Sequence, residues 1–341
     1  MNFDWKIKNQ HTAKYHTDTV EFCPDGSMVL CGSYELNSVS QERLGGVLLF
    51  SRVSNDQYNL SCIVPCPGVL DTSWISESVS IGALANGSTK LWNCTDHSSI
   101  IELIDFQVSD HILLSVDACS DRFVFSDSGG NISLWKIDVS SSSHPQAIAK
   151  WCGHEFEAWC ACLSKWHNDL VFTGSDDSKC CVWDLRQGCK KPLTTIRQNM
   201  GVCSIRYHPD LEYLFSTGSY DETLCIWDLR MVNSIKELSN PIFKCHFNGG
   251  VWRHKWGPHS FVIVAAMHAG FAVTHLSQSS FNSIEKNPIY KFRPTDEQLA
   301  YGIDWTFESY HSGDLLKPMV VSCSFYDNSI EFGELTINLN Q

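Results

Sequence analysis

The feature that most constrains this chain is a phrase written almost twice. GSDDSKCCVWDLR begins at Gly174 and GSYDETLCIWDLR at Gly218, 44 positions apart, with eight of the thirteen positions identical. Self-similarity at a period of about 40 to 50 residues is what the blades of a propeller leave in a sequence. Within each phrase a small polar turn is followed by apolar alternation, the period-two pattern of a half-buried strand. The aromatic that ends this strand recurs as Phe50, Trp92, Trp135, Trp183 and Trp227, then as a degenerate His275 and as Phe332, so seven units fill the chain. Turns such as NGSTKLW, SGGNISLW and YDNSIEF precede them, and Gly, Asn and Asp tolerate the positive φ that a tight hairpin needs.

Two further strands lie upstream of each turn, for example DLVFTGS after FEAWCACL, and a weaker fourth follows, as in PLTTI and IYKF. The expected fold is therefore all-β, a single seven-bladed propeller over residues 1–341. Such a ring removes exposed sheet edges by closing on itself. Too little chain follows SIEFGEL to supply a patterned outer strand, so residues 3–8 (FDWKI and the next lysine) are expected to pair with the last blade and close the ring. The stretches NQHTAKYH and DVSSSSHP read as surface loops.

Composition narrows the function classes. The formal charge is -13, which disfavours broad binding to nucleic acid, since that affinity comes from Lys and Arg on phosphates. A cationic partner fits better. No run approaches the roughly 18 apolar residues of a membrane span, and the N-terminus lacks an export signal. The expectation is a cytoplasmic monomer with no membrane contact. Sixteen cysteines without a CxxC pair read as small buried apolar side chains in a reducing compartment rather than as zinc ligands. Neither a metal nor a cofactor is expected, and no P-loop, GxSxG elbow, HExxH or dinucleotide fingerprint occurs.

Gly153 and His154, followed by Trp183 and Asp184, resemble the signature of WD40 repeats. That resemblance implies a buried hydrogen-bonded network of His154, Asp177 and Trp183, and structural roles for Asp221 and Trp227. Residues the repeat does not demand stand at the entrances of the first strand in the last four blades: Glu157 and Trp159, Met200 and Cys203, Trp252 and Arg253, and Tyr301 with Asp304 and Trp305. The turns add Asp176, Tyr220, Met267 and His268. Aromatic faces beside carboxylates suit a cation, above all a quaternary ammonium that cannot donate hydrogen bonds. Blade packing is the competing account of any one of these aromatics.

The ordered set HEFEAWCA, TGSDDSKCCVWDLR, MGVCSI, TGSYDETLCIWDLR, GGVWRHKW, AAMHAGF and YGIDW is narrower than WD40 repeats in general. It resembles the WD-repeat diphthine methylesterases of the diphthamide pathway, also called diphthine methyltransferases. DTVEFCP near the start and SFYDNSIEF near the end extend the likeness. The resemblance implies hydrolysis of the methyl ester of methylated diphthine, a modified histidine on translation elongation factor 2 that carries a trimethylammonium group. For ester hydrolysis the candidate bases are His268, Asp304 and Glu157, and Cys203 is either a nucleophile or a buried strand cysteine. Candidate substrate contacts are Trp159, Tyr220, Trp252, Arg253, Tyr301 and Trp305. Oxyanion donors could come from Arg253 or from the backbone at Gly201, Gly249 and Gly250. A rival expectation comes from WDLR, ending at Arg186 and Arg230. It resembles the WDxR box by which some WD-repeat proteins dock as substrate receptors on cullin-RING ubiquitin ligases, and would make the chain a non-enzymatic adaptor.

Overall fold

A computed structural model describes residues 2–137, 145–231, 240–276, 289–293, 298–307 and 315–339. The serine-rich stretch at 138–144 lies outside them. Seven antiparallel sheets form a seven-bladed propeller, and among the described residues six have four strands and one has five. The innermost strands, in blade order, are His16–Phe22, Val69–Trp74, Leu113–Cys119, Cys160–Leu163, Val202–Tyr207, Arg253–Trp256 and Ala300–Thr306.

Asn2–Thr12 is a strand paired with Ser329–Asn338 in the last blade. Its register runs on to Thr12, so most of NQHTAKYH is ladder rather than loop. The first and last blades also pack through side chains, with Phe50 and Tyr58 against Phe332 at ring-centroid distances of 5.2 and 5.1 Å.

The turn before the third strand holds a positive φ in every blade, at Gln41, Gly87, Gly130, Ser178, Glu222, Gly270 and Asn328. That conformation lets a short connection match the right-handed strand twist. It also explains why the sequence punctuates each unit at the same place. The strands then bury their apolar face between neighbouring blades: Phe172, Val182, Ile205, Phe215 and Trp227 form one such cluster.

The WD signature closes as a network in the fourth blade. His154 Nδ1 lies 3.1 Å from an Asp177 oxygen and its Nε2 2.7 Å from Thr173 Oγ1, which also accepts from Trp183 Nε1 at 2.9 Å. In the fifth blade Gln198 replaces the histidine and reaches Thr217, which accepts from Trp227 Nε1 at 2.9 Å.

Candidate active site

The mouth of the central channel is built by an irregularity repeated around the ring. In five innermost strands one extra residue interrupts the ladder, between Thr17 and Thr19, Val69 and Asp71, Leu113 and Ser115, Val202 and Ser204, and Ala300 and Gly302. A bulge leaves its extra residue unpaired and re-aims the side chain. Those extra residues are Asp18, Leu70, Leu114, Cys203 and Tyr301, and all five line one pocket at the channel mouth. The remaining two blades contribute Trp159 to Ala161 and Trp252 with Arg253, and the lining also takes in Tyr34, Asp71, Arg206 and Tyr220. The cavity measures about 130 Å³, of the order of the ~150 Å³ that admits a benzene-sized guest.

Four rings make one side of it. Trp252 stacks on Tyr301 at 4.8 Å, meets Trp159 at 5.4 Å and lies 5.8 Å from Tyr220. Trp159 is steadied by its indole N–H, which donates to Asp176 at 3.4 Å. Tyr301 rests in turn on Phe325 at 4.8 Å. Burial pushes the phenols of Tyr34, Tyr220 and Tyr301 up, so these rings are neutral at physiological pH.

The opposite side holds two carboxylates and a guanidinium, and the two acids are not equivalent. Arg253 donates from Nη1 to Asp71 Oδ1 at 2.6 Å and from Nη2 to the Leu70 carbonyl at 2.9 Å. Asp71 also accepts from the backbone N–H of Thr72 at 3.0 Å and of Val116 at 3.1 Å. Asp18 is 4% exposed, its Oδ1 has no hydrogen-bond partner, and its Oδ2 lies 3.9 Å from Arg253 Nη2. Burial, aided by the charge of Asp71 and opposed by Arg253, pushes the Asp18 carboxyl up to about 7.

Three residues further along the same strands, about 10 Å at strand rise, a second layer of charge fills the channel. Lys255 pairs with Glu21 and stands 3.7 Å from Asp304, while Arg206 approaches Asp117 at 4.0 Å. Asp304 also accepts from the backbone N–H of Phe22 and of Trp305, each at 2.9 Å. Of this layer only Arg206 reaches the pocket lining, while Glu21, Lys255, Asp304 and Asp117 lie below it.

The structure thus sorts the expected site residues. Trp159, Tyr220, Trp252, Arg253, Tyr301 and Cys203 come together in one pocket. Burial holds the Cys203 thiol well above its ordinary value, so it is a poor thiolate, and it donates to the Gly201 carbonyl at 3.6 Å. Asp304 sits in the deeper layer, and Trp305, one residue on, faces the packed space between blades, 6% exposed with its indole N–H on the Trp256 carbonyl. Glu157 is half-buried outside the lining, its carbonyl accepting from the Asp176 N–H at 3.0 Å, and His268 is exposed at a turn. Sequence reasoning missed Asp18, Asp71 and Tyr34. The signal was present: an Asp-Thr pair opens the first strand of both early blades, Asp18–Thr19 and Asp71–Thr72.

The family model "WD domain, G-beta repeat" matches residues 145–184 and 190–228. A curated relative from Dictyostelium discoideum, named diphthine methyltransferase homolog, is 30% identical over 95% of this chain and 98% of its own length. This chain belongs to the diphthine methyltransferase family. The Homo sapiens diphthine methyltransferase is likewise 30% identical, over 86% of this chain and 73% of that protein. A chain in a crystal structure of the mitotic checkpoint complex superposes over the full length with a TM-score of 0.73 at 13% identity, which speaks to the propeller fold alone. Within the family fold, the WDLR arginines lie away from the pocket. Arg186 and Arg230 project from strand ends with 69% and 63% of their side chains exposed, bound to Asp184 and Asp228 at 2.8 and 2.6 Å.

Proposed function

We propose that this protein hydrolyses the methyl ester of methylated diphthine on translation elongation factor 2, leaving the free carboxylate that later amidation converts to diphthamide. The observation that carries this reading is the pairing, in one pocket, of a four-ring wall with a buried carboxylate that lacks a hydrogen-bond partner on one oxygen. A trimethylammonium has no hydrogen to donate, so it is held through its charge on aromatic faces, an attraction worth roughly 0.5–2 kcal/mol per favourable ring contact. Trp252 and its neighbours offer such faces, and the carboxylates behind them add negative potential. The net charge of -13 favours approach of a cationic side chain.

The family name speaks of methyl transfer. A transferase needs room beside the acceptor for a methyl donor. Hydrolysis needs only water there. Phe156, Met200 and Tyr326, exposed by 56, 52 and 61%, stand in loops on the mouth side and suit docking of the protein around the modified histidine. The reaction belongs in the cytoplasm, where the elongation factor works.

The test is incubation of the purified protein with elongation factor 2 bearing methylated diphthine, followed by mass spectrometry of the modified peptide. The expected result is replacement of the ester methyl by hydrogen and release of methanol. An unchanged peptide, with substrate and fold verified, would sink the reading.

A further inference from the structure

We infer that Asp18 is the catalytic base of this pocket, taking the proton of the hydrolytic water, while Arg253, anchored by Asp71, faces the ester carbonyl oxygen. The inference rests on the esterase reading above and adds the residue that performs it.

The two mouth carboxylates have separate tasks because their hydrogen bonds differ. Asp71 accepts from Arg253, from two backbone N–H groups and, at 3.4 Å, from Thr19 Oγ1, so it serves as an anchor. Asp18 keeps an oxygen without a partner at 4% exposure. Burying a charge with an open coordination position is costly, and of the described buried carboxylates with such an oxygen, Asp18, Glu21 and Glu331, only Asp18 lines the pocket. The bulge between Thr17 and Thr19 is the local cause: without it the side chain would follow strand alternation, and with it the carboxyl joins the pocket lining.

Among the described residues, the groups facing Asp18 leave it as the one suitable base. Arg253 and Asp71 stand across the channel mouth, Tyr34 and Cys31 come from the next strand of its own blade, and Tyr301 and Tyr220 come from other blades. Burial keeps those phenols and that thiol neutral, so Arg253 and Asp71 set the local field. A carboxyl raised to about 7 is poised near the pH of the cytoplasm, where a base is most effective. No histidine lines the pocket among the described residues, and the deeply buried His254 is pushed down to about 3.

The step balances. As the water oxygen forms its bond to the ester carbon, one water proton passes to Asp18 and the carbonyl electron pair moves onto oxygen opposite Arg253. Collapse breaks the acyl–oxygen bond, and the proton on Asp18 goes to the departing methoxide. Methanol and the diphthine carboxylic acid leave, and the acid ionises to solvent.

Single-turnover hydrolysis by the wild type and by Asp18→Asn, measured across neutral pH, tests this. The wild-type rate should rise with pH through an inflection near 7 and then level. Asp18→Asn should be slower by roughly 10²–10⁴ and lack the inflection, a loss of rate far larger than its loss of affinity for a non-hydrolysable trimethylammonium peptide. In heavy-oxygen water the label should enter the diphthine carboxylate on the first turnover and never Asp18. An active Asp18→Asn, a wild-type profile flat through neutrality, or label in Asp18 would each overturn the role of this residue alone. A wild type without hydrolysis would overturn the esterase reading and this inference together. The wild-type profile and the label need no variant, so either can still overturn the role of Asp18 if Asp18→Asn folds poorly.

Discussion

A base kept in a buried, half-coordinated site should cost the fold stability, and removing it should return some. The Asp18 carboxyl moves from an ordinary 3.8 to about 7 on folding. Because the folded value is the higher one, the loss begins as pH rises above the unfolded value and is complete once the pH exceeds the folded one. The span corresponds to ~4 kcal/mol at most, at 1.36 kcal/mol for each tenfold change in proton affinity. Asparagine has the same shape and no charge, but it still buries a polar amide. Asp18→Asn is therefore expected to be more stable than the wild type by about 1–3 kcal/mol at pH 8. At about pH 4.5 the two proteins should be nearly equal. Thermal melts by circular dichroism at both pH values give the comparison, and the expected difference at high pH is a few degrees. If Asp18→Asn melts lower than the wild type at pH 8 and equal to it at low pH, the carboxylate is a stabilising partner of Arg253 and the reasoning fails.

Trp252→Ala removes the central ring of the wall and should raise KM for the trimethylammonium substrate by several-fold to about 30-fold, the equivalent of ~1–2 kcal/mol. A neutral tert-butyl analogue should lose less affinity than the cation in the same variant, which separates charge from packing. Thr173→Val leaves both His154 and Trp183 without their shared partner, and should lower stability by about 1–3 kcal/mol in denaturant titrations without altering the pocket. Arg186→Ala combined with Arg230→Ala should leave hydrolysis and melting temperature unchanged. Loss of a stable protein complex in that variant, together with a wild type that hydrolyses no ester, would favour the adaptor account.

The propeller was legible because each blade repeats the same chemistry: a positive-φ turn, an alternating third strand, an aromatic at its end. Those signals are local, and local rules read well from sequence. The pocket was half legible for the opposite reason. Trp159, Trp252 and Tyr301 stood out as residues the repeat does not require. Asp18 and Asp71 did not, because an acidic residue near a strand start is unremarked unless the register is known. The decisive feature is one extra residue in a ladder, and a bulge leaves no composition of its own. The same hidden register separates Tyr301, in the pocket, from Trp305, between blades, and sends Asp304 to the deeper charge layer. His268 and Glu157 belong to motif phrases, and neither reaches the lining. Motif membership marks a neighbourhood and does not fix which way a side chain points.

The most direct measurement is a crystal structure of Asp18→Asn with a methylated diphthine peptide bound. The account predicts the trimethylammonium against Trp252, Tyr301, Trp159 and Tyr220, with the ester carbonyl between residue 18 and Arg253. A peptide bound elsewhere on the propeller, with the channel mouth empty, would contradict it.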